Sequence, residues 1–211
     1  MKFGIVVFNQ VEELDFAGPL EMLGMWGRFV EAADSAPDIV IVAESTAPVV
    51  GAHGLSINPQ VSFAECPPLD YILVPGGPGT RTEVNNPAMT DFVARQARGC
   101  KSVLSVCTGA FVLHAAALLG GKRATTHWAS LQRLRDLGDV QVVEERFVVD
   151  GTVWTSAGVS AGIDMTLAFI AHLAGDEAAG KAQFYAEYYP DGVRYGKDEL
   201  DAQSPAYIKA R

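Results

Sequence analysis

Covalent scaffolding has little support in this chain: cysteine occurs only at positions 66, 100 and 107, an odd number with no CxxC pair. Neither a disulfide framework nor a cysteine-built zinc site is indicated. Basic residues are also scarce. The 16 Lys and Arg stand against 25 Asp and Glu, a formal charge of -9. No basic stripe is left to neutralise phosphates, which excludes nucleic acid and anionic membrane surfaces as expected partners. No apolar run reaches the ~18 residues of a membrane span. Met1 to Phe8 enter a short apolar strand with neither a basic leader nor a cleavage site, so a cytoplasmic protein is expected. Gly76-Gly77-Pro78-Gly79 is not GxGxxG and lacks the P-loop Lys-Ser/Thr, so no nucleotide cofactor is expected. His53, His114 and His172 have no carboxylate or cysteine at ligand-like spacing, so no metal is expected either.

What the chain does have is apolar content. With 211 residues, 49% of them hydrophobic, and no repeat or low-complexity linker, it fits one domain over residues 1–190 and a polar tail over 191–211. Phe3 to Phe8, Ile39 to Val42, Tyr71 to Val74 and Ser102 to Val106 read as strands. Pro19 to Trp26 reads as an amphipathic helix with proline in its first turn, and Pro87 to Ala97, Phe111 to Leu119 and Trp128 to Leu137 also read as helices. Val140 to Val143 and Phe147 to Val149 precede a hairpin signal at Asp150-Gly151, so antiparallel strands are expected at one sheet edge. Apolar helices are expected over Ala161 to Ala174 and Glu177 to Tyr189. This alternation predicts a mostly parallel sheet with helices on both faces and ligands beyond the carboxyl ends of the strands.

Cys107 ends the Val103-to-Val106 strand, and Thr108-Gly109 leads on into a helix, the pattern of a nucleophile elbow. Free amides and a helix N-terminus there are expected to favour the thiolate. The Thr108 amide and the Gly76-Gly77 turn form a candidate anion pocket. Cys66, before two prolines, and Cys100, at a helix end, read as small packed residues.

Val74-Pro75-Gly76-Gly77, Ser105-Val106-Cys107-Thr108-Gly109, Ala124-Thr125-Thr126-His127-Trp128 and Thr155 to Asp164 occur in the order seen in PfpI-type proteins, a superfamily related to class I glutamine amidotransferases. The chain resembles that superfamily from about Phe3 to Tyr189. The resemblance implies a flavodoxin-like three-layer α/β sandwich. Leu14-Asp15 with Gly18-Pro19, and Cys107 followed by Thr108, are most similar to the isonitrile hydratase branch. Peptidase-like members place His where Thr108 stands, and deglycase-like members Glu where Asp15 stands. AraC-like regulators carry a further helix-turn-helix module for which this acidic chain has no room.

That resemblance implies a cofactor-free hydro-lyase, a homodimer, that turns an isonitrile and water into an N-substituted formamide. Asp15, in an apolar Leu14-Asp15-Phe16 setting, either caps a helix or lies against Cys107 with a raised pKa as acid and base. Cys107 is the expected nucleophile, Thr108 a catalytic partner or the start of the helix, and Gly76, Gly77, His127 and Trp128 the expected substrate contacts. Asp164 reads as a helix cap. The residues leave open whether Cys107 or Asp15 acts first. They also leave open a non-catalytic redox sensor or chaperone with an oxidisable Cys107, and a glyoxalase-like or amidase-like enzyme using the same thiol.

Overall fold

A strand covered on both faces has no reason to alternate polar with apolar, and the central strands of this chain do not. In the computed structural model, whose described residues are 1–30, 36–190 and 205–209, the elements run β1 (Lys2–Val6), α1 (Glu13–Gly27), β2 (Asp38–Ala43), β3 (Val49–Val50), β4 (Ser56–Ile57), β5 (Val61–Ser62), β6 (Tyr71–Val74), α2 (Thr80–Glu83), α3 (Pro87–Ala97), β7 (Ser102–Val106), α4 (Gly109–Ala115), β8 (Arg123–Ala124), α5 (Leu131–Arg135), β9 (Gln141–Val142), β10 (Phe147–Asp150), β11 (Val153–Ser156), α6 (Ala161–Ala174), α7 (Asp176–Tyr185) and α8 (Ala206–Lys209). Every residue of β6, β7 and β11 is buried.

Seven strands form one sheet in the order β10-β11-β7-β6-β1-β2-β5. All its pairings are parallel except that of the edge strand β10 with β11. From β1 the chain crosses over α1 to β2 on one side. From β6 it crosses over α3 to β7 on the other. Right-handed crossovers in opposite directions put helices on opposite faces: α1 packs with α6 and α7, and α3 with α4. This is the flavodoxin-like three-layer sandwich. Between the first two helices and the sheet lies an aromatic cluster, with Phe3 stacked on Tyr71 at 4.5 Å and Phe169 edge-on to Trp154 at 5.0 Å and to Tyr71 at 5.3 Å.

The reversal of crossover direction opens a crevice at the carboxyl ends of β1 and β6, where such sheets bind ligands. Asp15 follows β1, Gly76 follows β6 and Cys107 follows β7, so three chain segments deliver their residues to one edge.

Several boundaries differ from the sequence reading. Helix α1 begins six residues before Pro19, which therefore lies inside it and offers no N–H to the carbonyl four residues back. Burial of Phe16, Met22, Leu23 and Trp26 on one side of α1 outweighs that loss. The 128–137 helix is a 3-10 turn, Trp128–Ser130, followed by the five residues of α5. The strand in Val140 to Val143 does not join the main sheet edge; it pairs with β8 in a separate two-stranded sheet. Helix α7 ends at Tyr185, and residues 191–204 and 210–211 of the expected tail lie outside the described residues. Among the described residues no helix is long and apolar enough to cross a membrane.

Candidate active site

Cys107 is buried at 7% exposure and holds a φ of 56°, a left-handed conformation that costs a non-glycine residue about 1–3 kcal/mol. Three hydrogen bonds keep it there. Its N–H is shared between the carbonyls of Ser156 and Ala157, both at 3.1 Å. Its carbonyl accepts from the buried Thr126 hydroxyl at 2.8 Å. A strand that stops and turns this sharply leaves the side chain standing out of the β7 end, above the first turn of α4.

Asp15, fully buried, reaches the same point from the first turn of α1. The Gly76 amide donates to its Oδ2 at 2.8 Å; among the described residues no donor meets full hydrogen-bond geometry at Oδ1, although the Cys107 thiol and the Val159 amide face the carboxyl. Gly76 is required at this junction. A Cβ there would lie 2.5 Å from the Thr108 amide nitrogen and 2.8 Å from Asp15 Oδ2, so no larger residue fits between them. The next amide, Gly77 N–H, donates to Thr108 Oγ1 at 3.0 Å, and Thr80 Oγ1 lies 3.1 Å from the same oxygen. Both glycine amides are thus engaged by protein atoms. The expected anion pocket at Gly76-Gly77 is instead a clamp on Asp15 and Thr108.

The charges of the pair differ from the sequence expectation at the thiol. Burial, and secondly the Asp15 charge, push Cys107 up to about 12, against the Thr108 and Val159 groups that favour the thiolate. Helix α4 has only seven residues, so its terminus does not offset the desolvation. Burial likewise raises Asp15 to about 7, aided by Glu12 and opposed by the Gly76 amide, the Cys107 thiol and the Val159 amide. Above about 7 the pair therefore holds one negative charge, first on the carboxylate and available to the sulfur by proton transfer. Val159, whose amide serves both groups, is also left-handed, at φ 49°.

A cleft of about 340 Å3 opens over this pair, walled by Gly77, Thr108, His127, Val159, Glu12 and Arg81 among others. His127 is present as expected. Its Nδ1 accepts from the Ala129 amide at 3.2 Å, and burial lowers its pKa, so it is a neutral wall residue. Trp128 is not in this cleft. The 3-10 turn swings it to a neighbouring surface hollow with Leu131, Arg135, Glu144 and Pro205, which corrects its assignment as a substrate contact. Asp164 is no cap either: its carboxylate accepts from Arg146 Nε and from the Tyr188 hydroxyl at 2.9 Å.

Two histidines expected to lack acidic partners have them. His53 Nδ1 lies 2.7 Å from Glu13 Oε2 and 3.6 Å from Glu12, and Glu13 Oε1 also accepts the His53 amide, fastening the loop after β3 to α1. His114 Nε2 pairs with Asp139 at 2.8 Å. Both contacts close loops far apart in sequence, where spacing carries no signal. Thr126, Val159, Glu12 and Arg81 are site residues that sequence reasoning missed. Thr126 and Val159 had a local signal, their places in the motifs Ala124 to Trp128 and Thr155 to Asp164.

The sequence profile of the DJ-1/PfpI family matches residues 1–172. The isonitrile hydratase of Pseudomonas putida is 40% identical over 192 residues, 90% of this chain and 79% of that one. The glutathione-independent glyoxalase DJR-1.2 of Caenorhabditis elegans is 26% identical over 66% of this chain and 75% of its own. A solved structure, a THiJ/PfpI family protein from Pseudomonas syringae, superposes with a TM-score of 0.85 at 32% identity, covering 99% of this chain and 83% of that one.

Two outcomes follow from this geometry. Because folding raises the Asp15 pKa from 3.8 to about 7, the folded state binds the extra proton more tightly. Wild-type stability is then lost as pH rises from about 4 to about 7, on the order of 4 kcal/mol in total. Asp15→Asn carries no such charge and gains stability relative to wild type across that window, levelling off above it, as read by denaturant unfolding; parallel pH profiles would sink this reading. Thr126→Val keeps the shape but removes the donor to the Cys107 carbonyl. It is expected to cost about 1–3 kcal/mol and to slow modification of Cys107 by a neutral electrophile, with Thr126→Ser restoring both.

Proposed function

The chain belongs to the DJ-1/PfpI family, and from that membership we propose that its Cys107–Asp15 pair hydrates isonitriles to N-substituted formamides. One observation carries the reading: the buried Cys107 thiol lines a small cleft and has the fully buried Asp15 carboxyl beside it, close enough for a proton to pass between them. An isonitrile carbon is attacked by a nucleophile and protonated at that same atom, so one proton moving within one pair supplies what the first step needs. The 40% identity to a named isonitrile hydratase over 90% of the chain supports the same substrate class.

Asp15 takes the thiol proton as the sulfur bonds to the terminal carbon, and passes it to that carbon; the S–H bond breaks while S–C and C–H bonds form. The product is a thioimidate on Cys107. The Thr108 and Val159 amides offset the negative charge while the sulfur carries it. Asp15, again a carboxylate, removes a proton from water as its oxygen adds to the thioimidate carbon, and that proton goes to nitrogen. The remaining hydroxyl proton returns by way of Asp15 to the sulfur as the C–S bond breaks, releasing the formamide. Water and isonitrile are consumed, and nothing else is. The redox-sensor reading is the weaker one, because oxidation by peroxide needs an accessible thiolate and this thiol is buried and held protonated.

The same proposal includes a homodimer. Phe184, Tyr185 and Tyr189 stand 56–62% exposed, an aromatic surface that a second copy would cover. Sedimentation at the mass of one chain would remove this part.

The test is formamide production from cyclohexyl isonitrile, with methylglyoxal as the competing substrate. Cys107→Ala and Asp15→Asn are each expected to lower kcat/KM by about 100-fold or more. In wild type kcat/KM should fall as pH drops through about 7, where Asp15 becomes protonated, and should not fall on the alkaline side below about 12. Turnover of methylglyoxal alone would move the assignment to a glyoxalase.

A further inference from the structure

The cleft has a polarity that the hydration chemistry does not use. Glu12 stands on one wall, and the fully buried Asp15 lies behind the lining, against Cys107. Arg81 lines the same cleft from α2, the short helix that follows the Gly76-Gly77 clamp, and its amide donates to Pro78 O at 3.2 Å. In a chain with a net charge of -9 acidic partners are plentiful, yet the Arg81 side chain has no ion pair or hydrogen bond among the described residues. A second cation stands nearby. The Arg133 guanidinium lies over the Phe111 ring at 3.9 Å, near enough to Arg81 for the two like charges to be felt. Among the described residues neither guanidinium has an ion pair with a carboxylate, and Arg133, behind the cleft lining, adds to the positive potential on the Arg81 side.

We infer that Arg81 anchors a carboxylate carried on the organic group of the substrate, so that isonitrile carboxylates are the preferred substrate class. This rests on the hydratase reading. With the isonitrile carbon at the sulfur, the linear C–N–R axis points away from Cys107 and carries the far end of the molecule outward, away from Asp15 and toward exposed groups. A planar guanidinium offers a carboxylate two parallel N–H donors. One negative charge fits better than two, because Glu12 shares the cleft and would oppose a dianionic phosphate. A cleft of about 340 Å3 holds a small acid of this kind.

The experiment compares two reactions of the full-length protein. In the first, alkylation of Cys107 by iodoacetate and by iodoacetamide is followed by peptide mass spectrometry, with Cys66 as internal reference. This needs no turnover. The iodoacetate-to-iodoacetamide rate ratio at Cys107 is expected to fall about fivefold in Arg81→Gln, the size of one solvent-facing charge pair, to be largely kept in Arg81→Lys, and not to move at Cys66. In the second, the kcat/KM ratio of isocyanoacetate to its methyl ester is expected to fall by a similar factor. A Cys107 ratio unchanged in Arg81→Gln overturns the inference even if both isonitriles are hydrated. A ratio that falls while neither isonitrile reacts keeps the anion anchor and overturns the hydratase reading.

Discussion

The hydrogen bond from the Gly76 amide to Asp15 Oδ2 is the contact on which the site depends. It ties the end of β6 to the first turn of α1, and so fixes a carboxylate that would otherwise be buried without a donor. Its length of 2.8 Å is possible only because Gly76 has no side chain; the space a Cβ would take is filled by Thr108 and Asp15 themselves. The parallel sheet brings the ends of β1, β6 and β7 to one edge, and this bond sets how close they come.

Closeness sets the proton chemistry. In water a carboxyl and a thiol would titrate far apart, each with its own solvation. Here burial raises both, and the carboxylate further discourages the thiolate, so the pair retains its last proton from about 7 to about 12. The positive end of a seven-residue helix is a small term against that desolvation. In the hydration proposed above, the thiol becomes nucleophilic by passing its proton to Asp15 as the substrate carbon approaches.

Two strained residues meet at the same place. Cys107 and Val159 are both left-handed without being glycine, and the Val159 amide faces the Cys107 sulfur. The hydrogen bonds to Ser156, Ala157 and Thr126 hold Cys107 in this conformation, all from residues within the sheet edge or the loops it supports. A packed core of buried strands keeps those partners still.

The strand-turn-helix around Cys107, the glycine turn after Tyr71 to Val74 and the alternation that gives a parallel sheet were legible in the sequence, because each is encoded by neighbours within a few positions. Asp15 was legible as an ill-solvated carboxylate, but its place inside α1 was not, since Pro19 reads locally as a helix start and only packing of the helix face overrides it. Trp128 was misplaced because a 3-10 turn and an α-helix differ by a rotation that local propensity does not resolve. The loop that carries His53 meets Glu13 of α1, and the loop that carries Asp139 meets His114 of α4, only after folding. The sequence by itself determined which groups could react and on which edge of the sheet they stand; only the tertiary structure decided which group carries the charge, because desolvation and the distance between Asp15 and Cys107 exist only once the chain is folded.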